Sequence, residues 1–184
     1  MAIANGNLYV TDIDRLVAID LSTGSITNTY PVENSIFLND VTALENTIYF
    51  SDMKTGMIHE LTEGKVYTFT EGLEKVNGLF AESDKLLALT GAGFQSISYD
   101  SKEIKTISEG VTSGDGLVKT TSGDYVASRW AGQIYSVIDS EATLLLDTEK
   151  QGSQTADIGY IPEGNLVVVP TFFKNSIVAY KLGE

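Results

Sequence analysis

Short runs of alternating apolar and polar residues follow one another along the whole chain. They are rich in Val, Ile, Tyr, Phe and Thr and are bounded by Gly, Asn, Asp and Ser, a pattern typical of β-strands. Hardly any window places apolar residues at helical spacing over the roughly 10–12 residues that a helix needs. One stretch gives four successive strands, at Val41–Leu44, Thr47–Asp52, Met57–Leu61 and Val66–Thr70. The pattern therefore predicts an all-β protein.

This strand pattern repeats about every forty residues. The run Asn7–Asp12 recurs as Thr47–Asp52 and, more loosely, as Lys85–Thr90, Asp124–Arg129 and Asn165–Pro170, at intervals of 38 to 41 residues. Four antiparallel strands repeated at this period are typical of the blades of a β-propeller, which surround a central channel. A β-sandwich or an up-and-down barrel would explain the short strands but not the period. We therefore predict a β-propeller of four-stranded antiparallel blades.

The chain length sets the number of blades. The whole chain, 1–184, is expected to form one domain, with repeats at about 1–36, 37–75, 76–113, 114–154 and 155–184. The first repeat leaves few residues for its inner strand, and the last has none for an outer strand. About five blades are therefore expected, either as a compact ring or as part of a larger, incomplete one. Unpaired blade edges in an incomplete ring would favour self-association.

Composition narrows the choice of partners and compartment. Twelve Lys and Arg residues against 25 Asp and Glu give a net charge of −13, which repels nucleic-acid phosphates and anionic lipid head groups. We expect neither nucleic acid nor a membrane as a partner; a cation fits better. The lack of Cys excludes disulfides and thiolate metal sites. The segment Met1–Gly6 lacks the features of a signal peptide. The cytoplasm is the default expectation, with the periplasm or secretion left open if the native chain starts upstream.

A polar residue stands just before the predicted inner strand in four successive repeats. Asn39, Asn77 and Asp115 are spaced 38 residues apart, and Asp157 takes the same place in the next repeat. Inner strands of a propeller line its channel and begin on one face, so these side chains should converge on the axis. Carboxylate and amide oxygens are ligands that hard cations such as Ca²⁺ or Mg²⁺ prefer. The alternative is a role in turns, because Asn and Asp also hydrogen-bond turn backbone.

The motifs around these residues carry a family resemblance. The order and spacing of the motifs resemble the senescence marker protein/gluconolactonase/luciferin-regenerating enzyme family of six-bladed propellers, which is itself similar to the paraoxonases. The motifs are Leu38–Val41, Val76–Leu79, Ser113–Val118, Gly123–Ala127 and Gly132–Tyr135. The resemblance implies one divalent metal on the channel axis, Ca²⁺ first, with Zn²⁺ or Mg²⁺ as alternatives.

The resemblance also implies roles for individual residues. Asn77 and Asp115 would be metal ligands, and Asn39 would bind substrate or metal. The implied activity is hydrolysis of a lactone or related ester, with the metal polarising the carbonyl and Asp115 acting as the base for the attacking water. Asp157 would be an additional channel carboxylate. A non-catalytic propeller that binds a protein or ligand, with at most a structural cation, is the alternative.

Two positions depart from the family pattern. The family takes one metal ligand from a first-blade glutamate, and here that register falls on or just before Met1. Phe37 stands where the sugar-acid lactonases of the family carry an arginine. Without that basic group, the substrate site formed by Phe37 and Asn39 is expected to favour a less polar lactone or ester.

The chain contains a single histidine, which limits the choice of catalytic groups. His59 lies within a predicted third strand. A Ser-His-Asp triad or a histidine-rich zinc site is therefore not expected, and we predict a surface or packing role for His59.

Overall fold

Five antiparallel sheets follow one another around a common axis. The computed structural model describes residues 1–183, which form a five-bladed β-propeller with almost no helix. The fold class predicted from the strand pattern and its period is therefore confirmed. No helix in this part of the chain is long and apolar enough to cross a membrane.

Blades 1 and 2 each contain four strands that lie side by side in chain order. The strands of blade 1 are β1 (Ala2–Ala4), β2 (Asn7–Asp12), β3 (Arg15–Asp20) and β4 (Ile26–Pro31). Those of blade 2 are β5 (Leu38–Leu44), β6 (Thr47–Asp52), β7 (Met57–Thr62) and β8 (Lys65–Thr70).

Blades 3 and 4 have the same four-stranded order. The strands of blade 3 are β9 (Leu79–Ala81), β10 (Lys85–Thr90), β11 (Gly93–Ser98) and β12 (Ile104–Ser108). Those of blade 4 are β13 (Leu117–Lys119), β14 (Tyr125–Arg129), β15 (Gln133–Ile138) and β16 (Glu141–Asp147).

Blade 5 is a sheet of three strands. Its strands are β17 (Gly159–Ile161), β18 (Leu166–Pro170) and β19 (Ile177–Lys181). Single 3₁₀ turns cover Glu149–Gln151 and Phe172–Lys174. The blade has no outer strand in the described part of the chain, as the sequence predicted.

The first strand of each blade lies at the axis. Successive first strands β1, β5, β9, β13 and β17 contact one another, which places them around the channel. Because each is followed by antiparallel neighbours that lead outward, the segments just before these strands meet at one end of the channel. We call this end the axial face; it is the part of the fold that positions the candidate site.

Apolar packing between neighbouring blades forms the core. Alternate residues of a strand point to opposite sheet faces, so one blade can bury apolar side chains against the blades on both sides. Each of four junctions contains a buried cluster. Each cluster contains residues of two neighbouring blades, for example Leu16 and Phe50, Ile58 and Leu86, Leu89 and Ala127, and Ile134 and Val167. Full burial of one such side chain stabilises the fold by about 1.5–3 kcal/mol.

The fifth junction differs from the other four. In residues 1–183 no buried hydrophobic cluster joins blade 5 to blade 1. We call the space between the sheet β17–β19 and the sheet β1–β4 the open junction. The blades are thus arranged in a ring whose last contact is not sealed by a core.

The inner strands approach one another so closely that two positions require glycine. A Cβ atom at Gly78 would overlap the backbone carbonyl oxygen of Asp115 in the next blade. One at Gly116 would lie 2.8 Å from Oδ1 of Asp157. Each glycine directly follows a polar residue that precedes an inner strand, Asn77 or Asp115. The close packing therefore brings Asn77, Asp115 and Asp157 of successive blades near one another.

We expect Gly78→Ala to destabilise the fold by up to about 3 kcal/mol, because overpacking typically costs 1–3 kcal/mol and a backbone oxygen cannot easily retreat. The matched control is Gly159→Ala, since a Cβ there meets nothing within 4 Å. Urea unfolding of both variants measures the difference. Equal stability of the two would show that blades 3 and 4 do not approach this closely.

Candidate functional site at the axial face

Three polar residues occupy the same register before three inner strands. The backbone N–H of Asn77 donates to the carbonyl of Leu89 at 2.9 Å, and that of Asp115 donates to Ser128 at 2.7 Å. The inner strands of these blades begin at Leu79 and Leu117, so Asn77 and Asp115 each lie two positions before their strand. Asp157 stands two positions before Gly159, the first residue of β17. Asn77, Asp115 and Asp157 therefore lie at the axial face, one from each of blades 3, 4 and 5.

Asn77 and Asp115 are in direct contact. The Asn77 amide Nδ2 donates to Asp115 Oδ1 at 2.7 Å, which joins blade 3 to blade 4. Asn77 is only 8% exposed, and its Oδ1 is buried without a hydrogen-bond partner among the protein atoms. Such an unpaired acceptor costs about 1–3 kcal/mol. The amide oxygen is therefore free to accept a donor or to coordinate a cation.

Asp40 enters the site, although the sequence pattern pointed to its neighbour Asn39. Its carboxylate accepts from the backbone N–H of Leu79 at 2.6 Å and of Val41 at 2.7 Å, while its own N–H donates to Ser51 Oγ at 3.0 Å. The bond to Leu79 joins blade 2 to blade 3. A sequence signal existed, because Asp40 stands in the register where the next blades have Gly78 and Gly116.

Asn39 and Phe37 lie on the same segment but make other contacts. The Asn39 amide lies 3.8 Å from the sulfur of Met53, and its carbonyl accepts a hydrogen bond from the hydroxyl of Thr11. Phe37 is 37% exposed, and its N–H donates to an oxygen of Asp52 at 3.2 Å. A shift of register in β5, between Leu38 and Val41, accompanies this arrangement. Neither side chain hydrogen-bonds to the Asn77–Asp115 pair.

Three carboxylates share the electrostatics of the axial face. Burial, with the Asp157 charge second, raises the pKa of Asp40 to about 8 and that of Asp115 to about 6. The pKa of Asp157 is raised as well, because neighbouring protein atoms remove part of the water around its carboxylate, although the residue is exposed at the surface. The Met1 ammonium, 3.9 Å from Asp40 Oδ1, partly offsets this negative charge.

Glu82, elsewhere in the fold, is a carboxylate whose loss of hydration is fully offset by hydrogen bonds and positive charge. Burial alone would raise the pKa of Glu82, but hydrogen bonds from Lys119, Tyr125 and Lys85 lower it to about 2. Within residues 1–183, no Lys or Arg side chain forms an ion pair with Asp40, Asp115 or Asp157. The axial face therefore concentrates negative charge for which the protein supplies little positive charge.

An aromatic cluster on the axial face was not predicted. Trp130 follows β14, and its ring lies 5.7 Å from the ring of Phe172 and 6.1 Å from that of Phe173, in edge-to-face contact. The three residues are 44%, 55% and 69% exposed. Phe172 has a φ of 49°, which is rare for a bulky residue. We call these three residues the aromatic cluster. The sequence did not predict it, because Trp130 and the two phenylalanines lie on loops that are far apart in the chain.

His59 lies away from this site. It is 4% exposed and packs with its ring 5.4 Å from that of Phe50, and burial lowers its pKa. The packing role predicted for it therefore agrees with its position in β7.

No protein-family model matches the sequence, and no curated protein matches it. Solved structures match over nearly the whole chain. A virginiamycin B lyase from Staphylococcus aureus is 14% identical with a TM-score of 0.71, over 100% of this chain and 69% of the lyase. A catalytically inactive histidine-to-alanine variant of that lyase, with quinupristin, matches at a TM-score of 0.69.

Other solved structures match equally broadly. A chain of a nidogen/laminin complex is 13% identical with a TM-score of 0.83, over 98% of this chain and 74% of that one. The WD40 β-propeller domain of Doa1 is 11% identical with a TM-score of 0.80, over 99% of this chain and 62% of that one. Identities this low show the fold alone, which is that of a β-propeller.

Protein without metal should lose stability as the pH rises from about 6.5 to about 8. Over this range Asp40 keeps a proton in the folded state that the unfolded state releases near pH 4, so stability present at low pH is lost as folded Asp40 ionises. Asp115, with a pKa of about 6, contributes mainly below this range. Burial lowers the pKa of His59, which acts on stability in the opposite direction, so comparison with a variant at Asp40 isolates the carboxyl contribution. Thermal melting in a chelator measures the effect.

The variant Asp40→Asn should flatten this pH dependence, because the amide does not ionise. Asp100→Asn, which changes an exposed turn residue, is the matched control and should keep the wild-type slope. A wild-type melting temperature that is constant across the range would contradict the electrostatic description of the site.

Proposed function

We propose that the chain is a divalent-metal-dependent hydrolase of a lactone or related ester, with its site at the axial face. The observation that carries the proposal is the Asn77–Asp115 pair, in which buried Asn77 donates to a partly buried Asp115 and its own amide oxygen has no partner. No lysine or arginine among residues 1–183 forms an ion pair with the nearby Asp40, Asp115 or Asp157. Asn77 and Asp115 are also the metal ligands implied by the resemblance to the senescence marker protein/gluconolactonase/luciferin-regenerating enzyme family.

The residues present fit a hard cation. In the described chain no three His, Asp or Glu side chains are grouped closely enough to hold a metal alone. Amide oxygens would therefore complete the ligand set, and the unpaired Oδ1 of buried Asn77 is suited to that role. Asp115 would supply the charged ligand, with Asn39 as a further candidate and Asp157 near the site. Oxygen ligands of this kind suit Ca²⁺ first, then Mg²⁺, with Zn²⁺ less favoured.

A bound divalent cation would polarise the carbonyl of the substrate and stabilise the developing oxyanion. Asp115 would accept the proton of the attacking water. Burial raises its pKa to about 6 in the metal-free protein, and a bound cation would lower that pKa and keep the group ionised as a base. The hydrogen bond from Asn77 uses Oδ1 of Asp115 and fixes the orientation of its carboxyl group. Asn77 thus positions the group that performs the proton transfer.

The surroundings of the site favour an apolar substrate. Phe37 and the aromatic cluster present exposed rings on the axial face. No arginine is present beside Asn39 to bind a hydroxylated or anionic sugar, because the family's arginine position is Phe37. Aryl or alkyl esters and lactones are therefore the proposed substrate class.

The lyase with a similar fold depends on a different group. Its variant in which a histidine is replaced by alanine is catalytically inactive. The single histidine of this chain, His59, is buried in β7 and packs against Phe50. We therefore base the proposed chemistry on the axial carboxylates rather than on a histidine.

We expect Asp115→Asn to reduce hydrolysis by about 10²-fold or more, the usual contribution of a general base. Proton release with Ca²⁺ present, on aryl esters, alkyl lactones and sugar lactones, measures turnover and substrate preference. Asp100→Asn, which removes an exposed carboxylate, should retain wild-type rates.

Three results would overturn parts of the proposal. Unchanged turnover by Asp115→Asn would remove that residue as the base. A preference for sugar lactones would contradict the apolar substrate class. Stabilisation by Ca²⁺ without turnover of any substrate would instead identify a non-catalytic propeller with a structural cation.

A further inference from the structure

In the described chain, blade 5 ends in a strand that is paired on one side only. Blades 1 to 4 each place a fourth strand outside the third, whereas the sheet of blade 5 ends at β19. Ser176 and Leu182, which flank β19, are hydrogen-bonded to the chain on the β18 side. Because bonding alternates along an antiparallel pair, the N–H and C=O groups of Ile177, Ala179 and Lys181 point away from β18. We call this side of β19 the free edge.

The outer strands of the complete blades are irregular, and β19 is not. Each fourth strand carries one extra residue in a β-bulge, namely Thr27, Phe69, Ile107 and Leu145. Such bulges twist an edge away and hinder pairing with another chain. β19 pairs with β18 without a shift of register over its whole length. The free edge is therefore a regular template for one more strand, and every described strand already lies in a blade.

The complete blades show what kind of strand fits this edge. The last-but-one residue of each third strand is apolar and pairs with an apolar residue of the fourth strand. The pairs are Ile19 with Ile26, Leu61 with Val66, Ile97 with Ile104, and Val137 with Ala142. In blade 5 the last-but-one residue of the third strand is Tyr180, which packs toward blade 4. The repeat therefore places an apolar residue of the added strand opposite Tyr180.

An apolar pocket lies beside this position. It has a volume of about 250 Å³, and the apolar side chains that line it are Ile134, Leu145, Leu146, Val167, Tyr180 and Leu182. A residue opposite Tyr180 on an added strand points to the same side of the sheet as Tyr180, toward blade 4 and the pocket. A free edge for main-chain hydrogen bonds with a pocket for a side chain is the arrangement by which proteins recognise extended peptides.

The charge around the free edge favours a basic partner. Exposed acidic residues on β16 and on the turns beside β16 and β18 form no ion pair within residues 1–183; they are Asp139, Glu141, Asp147, Glu149 and Glu163. They outnumber the nearby Lys150, Lys174 and Lys181. A second copy of the chain would bring another net charge of −13 to the contact, whereas a basic peptide would be attracted.

We propose that blade 5 binds an extended segment of a partner protein, which adds to β19 as an antiparallel fourth strand. Backbone hydrogen bonds to Ile177, Ala179 and Lys181 hold the segment at the free edge. An apolar residue opposite Tyr180 fills the pocket, and basic residues flank it. The segment completes blade 5 as the chain's own fourth strands complete the other four blades.

Fluorescence polarisation tests the proposal with a labelled peptide of the β8 sequence, Lys65–Thr70, extended by one lysine at each end. We expect saturable binding, because this sequence is already the fourth strand of blade 2. Ala179→Pro should weaken binding about tenfold or more, since proline removes an N–H that points outward and leaves the bonds to β18 intact. A scrambled peptide of the same composition and charge should bind no better than to Ala179→Pro.

A second pair of variants tests the pocket. Leu145→Glu should weaken binding about tenfold, because it puts a charge where the apolar residue of the peptide packs. Leu144→Glu is the matched control and should bind like the wild type, since Leu144 is equally exposed, at 49% against 48%, but does not line the pocket. All these variants should keep the wild-type melting temperature, because the three substituted residues are exposed.

Several results would overturn the proposal. No binding by the wild type, or equal binding of the scrambled peptide, would show that the edge does not recognise a strand. Tighter binding by Leu145→Glu would show that charge alone attracts the peptide. A wild-type dimer in light scattering that Ala179→Pro converts to a monomer would assign the free edge to a second copy of the chain instead.

Discussion

Burial of one blade against the next is the interaction on which the rest of this structure depends. Successive side chains of a strand point to opposite faces of the sheet, so a blade carries apolar side chains on both faces. These side chains leave water only when another blade covers them. The buried clusters that contain Leu16 with Phe50, and Ile58 with Leu86, hold successive sheets at a fixed angle and distance. The inner strands are then forced so close together that Gly78 has no room for a side chain. The axial site follows from this packing.

The same constraint explains why polar groups with unfavourable surroundings persist at the axis. Asn77 and Asp115 come from different blades and meet only because those blades are packed. At Glu82, the fold neutralises a partly buried carboxylate with two lysines and a tyrosine. At the axial face it leaves an amide oxygen unpaired and three acids with raised pKa values. An arrangement that costs stability without a ligand points to function, and function in a propeller depends on such a site rather than on the fold.

The repeat made the fold readable from the sequence, because period-two alternation and a forty-residue period both report on backbone geometry. The register of Asn77 and Asp115 was readable for the same reason. The involvement of Asp40 was not, since a register shift in β5 moves Asn39 and Asp40 relative to the simple repeat. The contact of Trp130 with Phe172 joins loops of different blades, and no local pattern encodes it. The apolar residues at the open junction look like ordinary strand positions in the sequence, and only the structure shows that no core cluster of residues 1–183 joins blade 5 to blade 1.

The central claim is that the Asn77–Asp115 pair at the axial face holds a divalent cation. Calorimetric titration of Ca²⁺ into metal-free protein tests this claim most directly. The account predicts one Ca²⁺ site per chain in the wild type and its loss in Asn77→Leu, which removes the unpaired amide oxygen at similar volume. Circular dichroism of the variant would establish that the blades remain folded. Absence of Ca²⁺ binding to the wild type, or equal binding by folded Asn77→Leu, would contradict the account.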